Sequence, residues 1–408
     1  MSKKFKIALI TYQYGYNEGT LLQAYATARL LRERLAEAIV DVVDWRHPLK
    51  EKITFSRPRN AREKSLREFF ETHLENKGRI IRSSHPKPVF KEVSRNYHLV
   101  VVGSDEVWRL DYQWVRRFGL KYHKQPNPWA PPFPNIYWPN AKDLGIPCVS
   151  LASSISEMNQ VELIPQHHLE KIRASLSEFK LISVRDTRSR DFIESIIEGV
   201  EPCWLPDPTF SLPNATPDQL ANLRTRLNLQ VGGGNAQKIA LVNCHVPLSS
   251  LHDVVNSCKN MGYLVVGMSH HVEGADINLS EIAIGPFDWA AIPALANLLI
   301  TDRFHGAVFA LKNNVPVIAL DHRNQISGSE SKIRDLLGRF GLLSYWFPVN
   351  DGTVADLSEL NDRIKNIQTS WPGEAVKYTC LEFSKRLVEF IDGPLTELIS
   401  NIRDRARA

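Results

Sequence analysis

The 408-residue chain is poor in the signatures that assign a sequence quickly. Cysteine occurs five times, at Cys148, Cys203, Cys244, Cys258 and Cys380, an odd number with no CxxC pair. That argues against a disulfide framework or a zinc cluster and predicts reduced thiols in a cytoplasmic protein. No apolar run reaches the roughly 18 residues of a membrane-spanning helix. The opening MSKKFKIALITYQ enters a strand directly, without a long apolar stretch or a small-residue cleavage site, so no signal peptide is expected. GxGxxG is missing, which weakens a nicotinamide or flavin reading, and GxxxxGK[ST] and GxSxG are missing too. No carboxylate, His or Cys set has metal-ligand spacing, and the pairs His167-His168 and His270-His271 lack acidic or Cys companions. Neither a metal nor a bound cofactor is predicted. There is no internal repeat and no low-complexity tract.

What is present is ordinary globular material. Hydrophobic residues make up 43% of the chain, enough for a core in each of two domains. The net charge is +5, with Lys and Arg mostly interleaved with acids. The densest basic stretches, 57–67 and 79–91, read as a solvated face rather than a nucleic-acid surface.

Strands and helices alternate. Residues 5–11 form a buried strand, 12–17 a loop, 19–37 an amphipathic helix and 39–44 the next strand, a βαβ start to a parallel sheet. The stretch 45–88 is a polar excursion with a helix at 61–74. A strand at 97–102 runs into Gly103-Ser104-Asp105-Glu106, which is either site-forming material or the N-cap of a helix. Residues 108–139, rich in Trp, Tyr and Pro, read as a lid over a sugar ring or as a packed irregular insertion. A strand at 147–154, a helix at 161–179, a strand at 181–184, a helix at 187–197 and a short strand at 203–205 complete the first half.

Residues 213–237, with Pro213, Pro217 and Gly232-Gly233-Gly234, predict a linker. The domains are therefore 1–212, 238–377 and a helical tail, 378–408, broken near Gly393-Pro394 and crossing back onto the first domain. The second half predicts strands at 238–243, 263–268 and 282–284, helices at 248–261 and 289–296, and then the most informative stretch, LITDRFHGAVFALKNNVPVIALD at 299–321. It reads as strand, polar turn, helix, strand. The expected architecture is α/β, with two Rossmann-like lobes facing a cleft that is the default site.

Strand ends in this scheme carry Arg185, Arg303, His305 and Lys332, with Asn17, Asp105, Glu106 and Asp207 as polar companions. Cations outnumber acids, which suits an anionic, phosphorylated or carboxylated substrate. Arg303 and His305 beside a helix N-terminus fit this, although the same pair serves equally to cap a helix or pair with Asp302. The donor class stays open between a nucleotide sugar and another phosphorylated metabolite.

In order along the chain, ITYQYGYNEGTLLQAYATARLL, VVVGSDEVW, ISVRDTRS, LPDPTF, ITDRFHGAVFALKNNVPVIAL and Ser331-Lys332 together resemble the polysaccharide pyruvyl transferases. The resemblance implies a GT-B-like fold and transfer of a pyruvyl group from phosphoenolpyruvate onto saccharide hydroxyls as a ketal. It implies donor binding by Arg185, Arg303 and Lys332, with His305 as general acid. Asp105 or Glu106 is the candidate for taking the hydroxyl proton, and Asn17, Gly19, Ser104 and Asp207 are placed among the substrate-binding residues. Where the acceptor is lipid-linked, the mild basic charge favours peripheral membrane contact. Two features depart from the family pattern: Glu106 and Arg109 in GSDEVWR, where GSDQVWN is common, and the Trp/Pro-rich segment 114–139. Both lie on the expected acceptor side. A GT-B glycosyltransferase using a nucleotide sugar, or a non-catalytic sugar- or anion-binding protein of this fold, are the competing readings.

Overall fold

The computed structural model describes residues 4–48, 51–52, 55, 57–76, 80–117, 120–124, 133–156, 160–227, 238–245, 249–322 and 331–405. The chain divides into two compact units. One comprises Met1–Arg57, Phe70–Ser211 and Phe383–Ala408, and the other Pro58–Phe69 and Leu212–Glu382.

The first unit is built on a five-stranded sheet of β1 (Phe5–Ile10), β2 (Ala38–Val42), β3 (Leu99–Val102), β4 (Cys148–Ser150) and β5 (Phe179–Leu181), in the order β2-β1-β3-β4-β5. Every pairing in it is parallel. β3 reads LVVV and is buried at all four positions, as a strand covered on both faces requires. A short parallel pair, β6 (Ser183–Val184) with β7 (Cys203–Trp204), continues the layer through single bridges at Ser153. Helix α1 (Glu18–Arg34) carries the chain from β1 to β2 and buries Leu21, Leu22, Ala24, Ala28 and Leu31 on one side.

The second unit holds a seven-stranded sheet: β8 (Lys238–Asn243), β9 (Tyr263–Gly267), β10 (Ile277–Asn278), β11 (Leu298–Thr301), β12 (Val317–His322), β13 (Trp346–Asn350) and β14 (Thr353–Val354), ordered β10-β9-β8-β11-β12-β13-β14. Only the final β13–β14 pair is antiparallel. In this unit helix α2 (Pro217–Arg226) precedes β8, and helix α3 (Phe304–Lys312) joins β11 to β12, the βαβ arrangement expected of 299–321. The tail forms a long helix (Gly373–Phe390), a π-helical turn at Ile391–Leu395 that contains Pro394, and a last helix (Thr396–Arg405). Its residues from Phe383 onward belong to the first unit.

Several local expectations change. No helix follows Gly103-Ser104-Asp105. Gly103 takes φ +116° and Asp105 φ +75°, and the chain turns instead. A Cβ on Gly103 would lie 2.3 Å from the Leu151 carbonyl oxygen and 2.6 Å from Ser153 Oγ, so only glycine fits there. The helix expected at 161–179 is split. Pro165 pushes Ile164 into extended backbone, and the α-helix starts only at Gln166. The strand at 147–154 stops at Ser150, just before Ala152 turns to φ +49°. Residues 282–284 are not a strand; the edge strand is β10, five residues earlier. Within 108–139, Trp108 stacks on Trp138 at 5.5 Å, and Tyr112, Phe133, Ile136 and Tyr137 are buried with them, while Gln113–Arg117 and Leu120–Lys124 pair as an antiparallel hairpin. The part of that segment at 125–132, and the glycines at 232–234 of the expected linker, lie outside the described residues. Within the linker, Pro217–Arg226 is a helix that belongs to the second unit.

Candidate functional site

In a doubly wound sheet, ligands bind beyond the carboxyl ends of the strands, where the strand order reverses. The first unit reverses between β1 and β3. The second reverses between β8 and β11. Asp105 and the residues tied to it lie at the first of these places, Arg303 and His305 at the second, and Lys332 stands one strand further on, beside the end of β12.

In the first unit, the end of β3 is tied to the loop after β1. Thr11 Oγ1 donates to the Ser104 carbonyl oxygen at 3.1 Å, and the Ser104 side chain lies against Gln23 and Thr27 of α1. Ser104 is fully buried, so its hydroxyl serves the loop's own framework. Asn17 is the N-cap of α1, its side-chain oxygen accepting the Thr20 N–H at 3.0 Å, and Gly19 is buried in the first turn. Thr20 Oγ1 in turn donates to Asp105 Oδ2 at 3.2 Å. Arg185, next after β6, lies almost wholly buried between two carboxylates, 2.6 Å from Asp207 Oδ2 and 3.7 Å from Asp105 Oδ1. Burial acts to lower its proton affinity, but Asp207, Asp105 and Asp186 hold it above the ordinary guanidinium value. The other oxygen of Asp207 accepts from the Thr209 N–H and Oγ1, which fixes the carboxylate. Asn17, Ser104, Asp105, Arg185 and Asp207 are thus linked through Thr11, Thr20 and α1, with Gly19 buried in the first turn of that helix. Glu106, one residue on, instead faces Arg109 at 3.2 Å.

In the second unit, helix α3 (Phe304–Lys312) opens immediately after β11, with Arg303 at its N-cap and His305 in its first turn. The Arg303 N–H donates to Thr301 Oγ1, and that hydroxyl donates to the Asn243 carbonyl oxygen at the end of β8, both at 2.9 Å. The strand ends on either side of the reversal are therefore locked together. Asp302 accepts the His245 backbone N–H through both oxygens, at 2.9 and 2.8 Å. His245 Nδ1 meets His270 Nε2 at 2.9 Å, joining the ends of β8 and β9. Burial first, then His245, Arg62 and Arg303, press the His270 pKa down to about 4. Burial likewise lowers His245, with Arg303 acting in the same direction. Burial is the larger cause at both imidazoles, so the lowered values chiefly report desolvation, with the nearby arginine charges adding to it and Asp302 opposing it at His245. Lys332 is the first residue of α4 (Lys332–Arg339), buried, behind the N-cap Ser331. Asp321, at the end of β12, receives the Ser331 hydroxyl and, at 2.6 Å, Trp346 Nε1.

A family model described as polysaccharide pyruvyl transferase matches residues 19–324. The chain belongs to the polysaccharide pyruvyl transferase family. No curated protein sequence matches it. Among solved structures it is similar to a putative UDP-N-acetylglucosamine 2-epimerase from Listeria monocytogenes, at 12% identity and TM-score 0.55, covering 97% of this chain and 98% of that one. It is also similar to the UDP-GlcNAc 2-epimerase of Methanocaldococcus jannaschii, at 12% identity and TM-score 0.53, covering 94% and 100%. A third is the Neisseria meningitidis UDP-GlcNAc 2-epimerase, at 8% identity and TM-score 0.51, covering 98% and 100%. At such identities the likeness is one of fold, and the fold is GT-B-like.

For this family member, three site residues escape a reading of the sequence: Asn243, His245 and Thr301. Their one signal is position. NCH follows the apolar run of β8 as DRFH follows that of β11, and the two strands become neighbours only once the sheet order is known. His270 and His271, adjacent in sequence, part company: His270 meets His245, and His271 meets Glu281 at 3.0 Å. Among the described residues no three His, Cys, Asp or Glu side chains form a group able to hold a metal ion, and no helix is long and apolar enough to cross a membrane.

Proposed function

We propose that the protein transfers the pyruvyl group of phosphoenolpyruvate onto two hydroxyls of a saccharide, forming a ketal in polysaccharide or glycoconjugate biosynthesis. The observation that carries this is the family match over 19–324, which spans the Arg303–His305 pair standing at the N-terminus of α3. Phosphoenolpyruvate brings a carboxylate and a phosphate, and an arginine beside an open helix N-terminus is chemistry that holds such groups. Arg185 and Lys332 are the other proposed donor-binding cations.

In the proposed reaction His305 delivers a proton to the methylene carbon, which becomes the methyl group. The adjacent carbon gains oxocarbenium character and takes a saccharide oxygen. Asp105 or Glu106 is the proposed acceptor of that hydroxyl's proton. A second hydroxyl then attacks the same carbon, phosphate leaves with its bonding pair, and the second proton departs with phosphate. Atoms balance with phosphoenolpyruvate and one diol, so the acceptor must present two hydroxyls close together and no further cofactor is called for. A cytoplasmic location belongs to the same proposal and suits five free thiols. A lipid-linked acceptor would bring the protein to a membrane surface.

The alternative admitted by a GT-B-like fold is a nucleotide-sugar reaction. Thermal shift with phosphoenolpyruvate beside UDP-, GDP- and CMP-sugars separates the two, because a ligand at 100 times its Kd adds about 2.7 kcal/mol to the native state. Stabilisation by phosphoenolpyruvate, lost in Arg303→Ala, is expected. Stabilisation by a nucleotide sugar alone would overturn the reading. His305→Asn should keep phosphoenolpyruvate binding and lower kcat by about 10²–10⁴; an unchanged kcat removes the general-acid role.

A further inference from the structure

Asn243 is the last residue of β8, and its register partner across the reversal is Thr301, the last residue of β11. The residue is buried, 2% exposed. Both ends of its amide, Nδ2 and Oδ1, are buried without a hydrogen-bond partner among the described residues. The amide is pressed against the first turn of α3. A Cβ on Gly306 would sit 2.9 Å from Asn243 Nδ2 and 2.8 Å from Thr301 Oγ1. Glycine at 306 is what lets the amide come so close. The same nine-residue helix begins without a side-chain cap on its leading N–H groups. Burying an amide with no partner is costly, and native proteins keep such groups where function uses them. Two amide hydrogens beside an uncapped helix N-terminus, at the point where the strand order reverses, are matched to an oxyanion.

We propose that Asn243 is a ligand-binding residue, its side-chain N–H donating to a carboxylate or phosphate oxygen held at the N-terminus of α3 beside Arg303. Naming that anion as part of phosphoenolpyruvate rests on the function proposed above; the role of Asn243 requires only the anion. A purely structural asparagine would be missed by the fold when removed. This one should not be.

The test compares wild type, Asn243→Ala and Asn243→Asp by melting midpoint and by titration calorimetry with phosphoenolpyruvate, inorganic phosphate and UDP-N-acetylglucosamine. The alanine variant should melt at or above the wild-type temperature and bind phosphoenolpyruvate and phosphate at least tenfold more weakly. The aspartate variant keeps the side chain's shape and adds a repelling charge, so it should lose more affinity still, and it carries the test if the alanine variant fails to fold. Wild-type affinity in either variant, or a wild type that binds none of the probes, overturns the proposal. If wild type takes only UDP-N-acetylglucosamine and the variants lose it, Asn243 keeps its role and the pyruvyl-transfer reading falls instead. If phosphoenolpyruvate binds all three proteins equally, the reverse holds.

Discussion

At the scale of single residues, the first unit's site turns on one buried ion pair. The Arg185 side chain is 2% exposed and that of Asp207 is fully hidden. Charges in such a place are costly alone and tolerable together. Asp207→Ala leaves Arg185 with the more distant Asp105 as its nearest paired carboxylate, and should cost about 3–5 kcal/mol in denaturant unfolding. A loss under about 1 kcal/mol would mean that the pair breaks even, as exposed pairs do. The sequence shows Arg185 and Asp207 as polar residues at strand ends, and they are that. It does not show that they neutralise each other, because the contact joins residues 22 positions apart through the parallel pairing of β6 with β7. Asn243 was illegible for a similar reason: its partner in register is 58 residues away, and its lack of a hydrogen bond is visible only in three dimensions.

At the scale of elements, the strands and helices flanking the sites were readable because their patterns were strong. β11 is an unbroken apolar run, and α3 follows it with a buried face from Gly306 to Leu311. Short or punctuated segments were not. Pro165 resets the helix register, and the alternation at 282–284 packs Ile284 into the core without making it a strand. Asn17 belongs at this scale too. Its side chain closes the N-terminus of α1, so Asn17→Ala should lower stability by about 1 kcal/mol, with Asn17→Ser restoring most of it. If Asn17 also touches substrate, KM rises in both variants; if it acts only as a cap, KM stays put and the melting curve alone moves.

At the scale of the whole molecule, acid is the condition that reaches both units. His168 in the first is pushed to about 4 by burial, then by His167 and Lys171, and His270 in the second stands at about 4. Both lie below the ordinary value of 6.5, so in the unfolded chain these imidazoles take up protons first. Stability present above pH 6.5 is therefore lost as pH falls from 6.5 towards 4. Glu51, Glu63 and Asp276, held below their ordinary values, add a loss at more acid pH still. Unfolding midpoints between pH 7 and 4.5 should fall, and His168→Gln with His270→Gln should flatten that part of the profile; an unchanged slope refutes the assignment.

The passage of the chain through the two units has a consequence for recombination. The first unit is finished only by the last residues: Phe383 meets Trp204 and Phe210, both at 5.1 Å, and Asp392 pairs with Arg34. The second unit borrows Pro58–Phe69 from the middle of the first. Exchanging halves between two family members by one crossover near residue 212 would leave each hybrid with a foreign tail on its first unit and a foreign segment in its second. Hybrids that fold should need matched junctions at 57, 69, 211 and 382, so the two units should exchange as a set of segments rather than as two halves.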